Sequence, residues 1–238
     1  MANASALPWY ANDERHGPLP LFLHALTVVT GLVDAVSYLG LGHVFVANMT
    51  GNVIFLGFAM TDHRDFSIPA SLAAMAAFLV GALVGGRLGT KVGQHRGRLL
   101  TIVTSLKVVL VGIALLVSIY GRDASGETFH YTLIGLLGVT MGLQNAAVRR
   151  LGVPDMTTTV LTLTLTGLAA DSRMAGGSNP RPVRRLTATI LMFAGAAIGA
   201  WLLHIANIAA VLSVALAILV MVWLATLKTW SSTASWTS

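Results

Sequence analysis

A cluster of polar side chains interrupts an apolar stretch at residues 45–57, where Asn48, Thr50 and Asn52 surround Gly51. The amides and the hydroxyl donate and accept hydrogen bonds, and glycine lets the backbone turn or approach a ligand closely. At membrane depth such groups persist only when buried in protein or lining a watery cavity. If a short helix begins near Thr50, Asn48 or Thr50 can cap it, and its free N–H groups favour an anion. The cluster predicts a site for a small polar or anionic solute.

A weaker copy of this pattern follows later, where Thr162, Thr164 and Thr166 alternate with leucines before Gly167. A period of two predicts an extended chain, with a helix starting at Gly167. The alternative is that the hydroxyls bond to carbonyls of their own helix, as threonines often do in membranes. We predict that residues 50–52 and 164–167 line one shared cavity near the bilayer midplane.

Asp34 is the one acidic residue well inside a predicted span. An intramembrane carboxylate is functional by default, so Asp34 is predicted to bind substrate and to couple transport to protons. The alternative is a structural hydrogen bond to a neighbouring helix. Gln144 and Asn145 occupy the corresponding place in the second half and are predicted to complete an asymmetric polar site. His24 lies ten residues before Asp34, on about the same helix face, and is a candidate proton relay or an interfacial histidine.

The remaining titratable side chains point to no further chemistry. Lys107 lies about two turns into its predicted span and is expected to snorkel to the cytoplasmic surface, with substrate contact as the alternative. His43, His63, His130 and His204 lie near predicted boundaries without metal-ligand spacing, so no metal or cofactor is expected. The chain has no cysteine, nucleophile elbow, P-loop or His-Glu-x-x-His run, and we predict that it is not an enzyme.

These residues lie on or between predicted membrane spans. The chain has 238 residues, 55% hydrophobic and 10% charged, whereas soluble domains carry roughly 25% charged residues. Its apolar stretches are 21–41, 44–60, 68–90, 99–120, 130–148, 156–170, 185–203 and 206–227. The stretches 44–60 and 156–170 are short, polar and interrupted by glycine. The fold class predicted is an all-α polytopic membrane protein with six transmembrane helices and two short broken or re-entrant segments.

An internal repeat relates the two halves. Residues 31–35 resemble 142–146, residues 50–51 correspond to 166–167, and 81–85 correspond to 195–199, at offsets of 111, 116 and 114. Three matches in register predict a duplication. The glycines of the third pair, four residues apart, predict close helix packing, either within the chain or between protomers of a homo-oligomer.

The distribution of Arg and Lys favours one membrane topology. The net charge of +6 is spread over short gaps between apolar runs, which is typical of cytoplasmic loops and not of a nucleic-acid surface. With six crossings and both termini cytoplasmic, 12 Arg and Lys residues lie inside and only Arg64 and Arg122 outside. The predicted division is a cytoplasmic segment 1–20, a first repeat 21–120, an external loop 121–129, a second repeat 130–227 and a cytoplasmic tail 228–238. Three crossings per half invert the second repeat, as in many secondary transporters.

Three motifs carry a resemblance to a known family: Gly31-x-x-Asp34-Ala35-x-Ser37-Tyr38-Leu39, Phe45-x-Ala47-x-Met49-Thr50-Gly51-Asn52 and Gly142-x-Gln144-Asn145-Ala146. Over about residues 20–225 the chain resembles the YoaK family of bacterial membrane proteins, also called DUF1275 or UPF0700. The resemblance implies a bacterial inner-membrane location and brings no established substrate. Leu168 stands where the family often repeats the asparagine, which implies weaker binding in the second half.

Two functions from different classes follow. The first is a secondary transporter or permease for a small polar or anionic solute, proton-coupled through Asp34, with the site between the two interrupted segments and the lipid bilayer around it. The second is a non-transporting membrane scaffold or partner subunit, in which the polar cluster only locks helices together. A membrane enzyme ranks third.

Overall fold

Six helices of the computed structural model are long and apolar enough to cross a membrane. The structure describes residues 15–60, 66–121, 126–178 and 181–237. In those ranges the chain is all-helical, which confirms the predicted fold class. The helices are α1 (Leu19–Ala35, continued by a π-helical turn over Val36–Gly40), α2 (Met49–Ala59), α3 (Ile68–Val92), α4 (Arg96–Tyr120), α5 (Glu127–Leu151), α6 (Thr162–Ala170), α7 (Pro182–Ile205) and α8 (Ile208–Leu227).

The six predicted spans agree with the long helices to within a few residues, because about 20 apolar residues are needed for one crossing. Local signals fix several ends. Ser67 accepts from the Ala70 N–H at 3.3 Å to start α3, and Asn207 accepts from the Ala210 N–H at 3.1 Å to start α8. Helix α5 ends at Gly152 with φ +61°, a left-handed conformation that glycine adopts readily. Arg64, Arg122, His63 and most of the predicted segment 1–20 lie outside the described residues.

The two short segments both contain short helices, α2 and α6, each preceded by non-helical chain at residues 41–48 and 152–161. The prediction of an extended chain up to Thr166 is wrong, because α6 already begins at Thr162. The Thr166 hydroxyl donates to the Thr162 carbonyl at 2.8 Å, so the own-helix alternative holds there. Without a neighbouring strand, a helix is the conformation that satisfies the backbone internally.

The predicted repeat correspondence between residues 50–51 and 166–167 does not align the starts of α2 and α6. Thr50 lies in the first turn of α2, whereas Thr166 lies in the second turn of α6. The helix starts, Met49 and Thr162, are 113 positions apart, whereas the proposed pairing needs 116.

The long helices pack in pairs through glycine. Helix α1 packs on α7, α3 on α5, and α4 on α8. A Cβ at Gly81 would overlap the Val139 carbonyl, and one at Gly195 would overlap the Val28 carbonyl. Glycine therefore allows two backbones to meet. The predicted close packing is confirmed as contact within one chain, whereas a homo-oligomer stays a prediction.

Candidate functional site

The first interrupted segment, residues 41–48, is held by two polar side chains. The Asp34 carboxylate accepts from the Ala47 N–H at 3.0 Å. The Asn52 amide accepts from the Phe45 N–H at 2.9 Å and donates to the Phe45 carbonyl at 2.6 Å. Asn52 is 0% exposed. Non-helical backbone buried in a membrane protein needs such hydrogen-bond partners, so Asp34 and Asn52 anchor the segment.

The other residues of the first predicted cluster play different parts. Asn48 is the N-cap residue of α2, but its side chain makes no capping hydrogen bond, and Thr50 is exposed. The predicted capping is therefore wrong for Asn48. A Cβ at Gly51 would lie 2.7 Å from the ring of Phe45, so glycine is needed to seat that ring over the start of α2. The ring occupies the space beside the helix start.

Aromatic rings surround this first segment. We use the name aromatic cluster for the rings of Tyr38, Phe45, Phe55, Phe58 and Phe66. Tyr38 stacks on Phe45 with centroids 4.9 Å apart, and Phe55 stacks on Phe66 at 4.7 Å. Such contacts add about 0.5–1.5 kcal/mol each beyond the buried area. Sequence reasoning missed the cluster because its members come from α1, α2 and two connections, with no local spacing in common.

The second interrupted segment, residues 152–161, has a similar anchor. The Thr159 hydroxyl donates to the Asn145 side-chain oxygen at 2.6 Å. The Asn145 amide in turn donates to the Met141 carbonyl at 3.0 Å. Asp34 and Asn145, which the predicted repeat pairs with each other, thus each bind the interrupted segment that follows their own helix.

Charged side chains replace the rings in the second half. We use the name ionic cluster for Asp155, Asp171, Arg181 and Arg185. Arg185 lies 2.9 Å from Asp155 and 2.8 Å from Asp171, and it donates to the Gly167 carbonyl at 2.6 Å. Arg181 lies 3.1 Å from Asp155. The interrupted segment, the end of α6 and the start of α7 are therefore joined through one guanidinium.

Gly167 serves this cluster. A Cβ there would lie 2.7 Å from the guanidinium carbon of Arg185, so the glycine gives the charged group its seat. Its predicted role as a helix start is wrong, since it lies inside α6. Thr164 of the same helix is buried and Thr166 is exposed. Acidic and basic residues flanking residues 156–170 were the available signal for the ionic cluster.

A third polar group joins four elements at the centre. Gln144 accepts from the Lys107 ammonium and donates to the hydroxyls of Thr30 and Thr158, both at 3.0 Å. Lys107 is 0% exposed, so the prediction that it snorkels is wrong. Helix α4 begins at Arg96, which places Lys107 11 residues in, roughly 16 Å along the axis and beyond the reach of a snorkelling side chain.

Thr158, a member of this polar group, has an unusual backbone conformation. Its φ is +59°, a left-handed value that is rare for a β-branched residue. Asp155, three residues earlier, has φ +63°. Strain of this kind persists where the surroundings hold it, and here Gln144 binds the Thr158 hydroxyl.

His24 does not lie beside Asp34. It is buried, with its Nε2 3.4 Å from the Arg184 carbonyl, and ten residues of α1 separate it from Asp34, roughly 15 Å of helix. Thr27 and Thr30 lie between them and donate to carbonyls of their own helix at 2.9 and 3.0 Å. A relay between the two needs further groups.

Helix α2 packs on α3, and α6 packs on α7. A cavity of about 1100 Å³ lies between α3, α5 and the second interrupted segment, and it includes Asn145 and Thr159 but neither residues 50–52 nor 164–167. The shared cavity stays a prediction. Across the described ranges, no three His, Asp or Glu side chains come together as a metal site.

Comparison with known proteins identifies the family. The model for "Protein of unknown function (DUF1275)" matches residues 22–225. The "UPF0700 transmembrane protein YoaK" of Bacillus subtilis (strain 168) is 33% identical over 153 residues, which cover 63% of this chain and 65% of that protein. The match thus spans less than two thirds of the relative's length. No solved structure matches the chain. Since the family model covers most of the sequence and the long helices are those of a multi-pass membrane protein, the chain belongs to the DUF1275 family of membrane proteins.

Proposed function

We propose that this protein is a secondary transporter or permease for a small polar or anionic solute in the bacterial inner membrane. The observation that carries the proposal is Lys107, wholly buried, whose bonded partner among the described residues is the neutral amide of Gln144. A buried ammonium without a carboxylate is costly. An anion that enters beside Lys107 compensates that charge, so the preferred solute carries a negative charge.

The non-helical residues 152–161 lie near Lys107, and this supports a binding site that can open to admit a solute. Thr158 brings residues 152–161 to Gln144, which lies seven residues before the end of α5, roughly 10 Å inside the helix. Backbone without helical hydrogen bonds is stable at such depth only within protein or along a cavity. A segment held by a few side-chain bonds moves more readily than a long helix, because fewer contacts must break.

Matching contacts in the two halves support two inverted-topology repeats. Gly81 meets the Val139 carbonyl, and Gly195 meets the Val28 carbonyl. Adding 111 to the number of Val28 in α1 gives Val139 in α5, and adding 114 to the number of Gly81 in α3 gives Gly195 in α7. The two contacts are therefore counterparts under the predicted repeat. Exchanging α1 with α5 and α3 with α7 reproduces the packing, as a pseudo-two-fold axis requires. With three crossings per half, that axis lies in the membrane plane.

The two clusters fit the ends of an alternating-access pathway. The positive-inside rule favours an orientation with both termini and the ionic cluster on the cytoplasmic side and the aromatic cluster on the opposite side. In this proposal the ionic cluster closes the second interrupted segment, and the aromatic cluster closes the first. Each closes the pathway at its own membrane surface.

Asp34 is the proposed proton-coupling residue. It lies one helical turn beyond Thr30, whose hydroxyl accepts from Gln144 in the central group. A protonated carboxyl is a weaker acceptor than a carboxylate, so protonation weakens the bond to the Ala47 N–H. Proton binding would then loosen the first interrupted segment.

One observation favours the scaffold alternative. The side chains of Asp34, Asn52 and Asn145 all find partners within the chain. Polar groups that are hydrogen-bonded within the chain can hold helices together without binding any solute. Ligand binding at Lys107 separates the two functions, because a scaffold has no use for it.

The test is thermal unfolding of the purified full chain in detergent with formate, acetate, nitrate, succinate or inorganic phosphate added singly. A ligand of the native state raises Tm by mass action. We expect at least one anion to raise Tm for the wild type and for Lys91→Gln, an exposed lysine of α3, but not for Lys107→Gln. An anion effect that survives in Lys107→Gln would contradict the proposal, as would the absence of any effect in the wild type.

A further inference from the structure

The cavity of about 1100 Å³ has an apolar body. Along α3 it extends from Phe78 to Thr90, twelve residues, which correspond to roughly 18 Å of helix. Ala82 and Gly86 lie between them on the same helix, and Met156 and Leu163 also line the cavity. The hydrocarbon layer of one leaflet is about 15 Å deep, half of a 30 Å core. The cavity therefore has the length of one leaflet's acyl chains.

One end of the cavity is cationic. Arg149 and Arg150, in the last turn of α5, line it together with Thr90. Both arginines are exposed, and no carboxylate in the described part of the chain pairs with either. The stem of Arg150 lies against Gly89, where a Cβ would be 3.3 Å from its Cγ. Two guanidinium groups thus stand at the polar end of an apolar space.

We infer that this cavity binds one anionic phospholipid, with its phosphate at Arg149 and Arg150 and an acyl chain directed towards Phe78. Basic pockets between transmembrane helices at the cytoplasmic surface recognise anionic headgroups, and arginine binds phosphate in a bidentate manner. Val160 and Leu163, 41% and 74% exposed, flank the cavity as a lipid-facing rim. The inference does not depend on transport.

The test compares phosphatidylglycerol with phosphatidylcholine of the same acyl chains, added to the purified full chain in mixed micelles. We expect phosphatidylglycerol to raise Tm by on the order of 5 °C near saturation and phosphatidylcholine to have little effect. Glycerol phosphate without acyl chains should also have little effect, because the apolar body contributes to binding. Equal shifts with both lipids, or a full shift with glycerol phosphate, would overturn the inference.

Two kinds of variant locate the site. Arg149→Gln with Arg150→Gln removes the cationic end, and Arg87→Gln, an exposed arginine of α3, is the control. Gly86→Leu adds a side chain to the cavity wall, where a Cβ meets nothing within 4 Å, and Gly112→Leu is the matched control on α4, where a Cβ also meets nothing within 4 Å. We expect the phosphatidylglycerol shift to vanish in the double arginine variant and in Gly86→Leu, and to persist in both controls. A shift retained in Gly86→Leu, or lost equally in Gly112→Leu, would contradict this site.

Discussion

Each interrupted segment is bound by a polar side chain of the helix that precedes it, but the groups packed around the two segments differ. Asp34 binds Ala47 in the first half, and Asn145 binds Thr159 in the second. Beyond these anchors the first segment is surrounded by stacked rings and the second by an ion network. Even the seating glycines follow this division, because Gly51 receives the ring of Phe45 and Gly167 the guanidinium of Arg185.

This difference shows which feature the two segments have in common. In both halves the anchor is a polar side chain that accepts a hydrogen bond, from a backbone N–H in the first and from a hydroxyl in the second. The groups that pack around each segment need only attract one another, which stacked rings and ion pairs both do. The two solutions differ in how they respond to loss of one member, and that difference can be measured.

Loss of Arg185 should have the largest effect. Arg185→Met leaves Asp155 and Asp171 without their shared partner, in a site where the Arg185 side chain is 8% exposed. Removing one member of a largely buried ion pair costs about 3 kcal/mol. Unfolding of the purified protein should show this decrease, while Arg173→Met, an exposed arginine, should change stability by less than about 0.5 kcal/mol. Equal stabilities of the two variants would remove the ionic cluster from the account.

Loss of Asn52 should come next. Asn52→Ala removes two hydrogen bonds to the partly buried Phe45, and each such bond contributes a net of about 0.5–1.5 kcal/mol. Asn48→Ala is the control in the same segment, since the Asn48 side chain makes no capping bond. Unfolding measurements should place Asn52→Ala well below Asn48→Ala. The reverse order would mean that Asn48 is the anchor.

Asp34→Asn makes the first anchor resemble the second, where asparagine does the same work. The amide oxygen still accepts from the Ala47 N–H, so we expect a loss of at most about 1 kcal/mol in stability. In proteoliposomes the variant should lose pH-driven uptake while it retains exchange. Uptake with the wild-type pH dependence would exclude Asp34 from coupling.

Arg181→Gln should have the smallest effect. Arg181 is 44% exposed and shares Asp155 with Arg185, so its ion pair is screened by solvent. Exposed pairs contribute about 0–1 kcal/mol. Thermal unfolding at low and high salt should differ little between Arg181→Gln and the wild type. A loss as large as that of Arg185→Met would show that the outer pair, and not the buried one, holds the segment.

The sequence alone predicts the parts of this fold that depend on local length and pattern. The spans follow from apolar runs of about 20 residues, and the glycine crossings follow from spacing along single helices. Lys107 was misplaced because α4 begins three residues earlier than its apolar run suggests, which moves the side chain almost one turn deeper. The ionic cluster draws Asp155, Asp171 and Arg185 from three elements, so the charges that flank residues 156–170 do not by themselves show which of them pair.

Flux of an anion through the reconstituted protein tests the central proposal most directly. Proteoliposomes containing wild type, Lys91→Gln or Lys107→Gln would be loaded with the anion that raises Tm most, and counterflow of its labelled form would be followed. We expect saturable counterflow for the wild type and Lys91→Gln, and a loss of at least tenfold for Lys107→Gln, equivalent to about 1.4 kcal/mol of binding or barrier free energy. Counterflow at the wild-type rate in Lys107→Gln, or none above empty liposomes for the wild type, would contradict it.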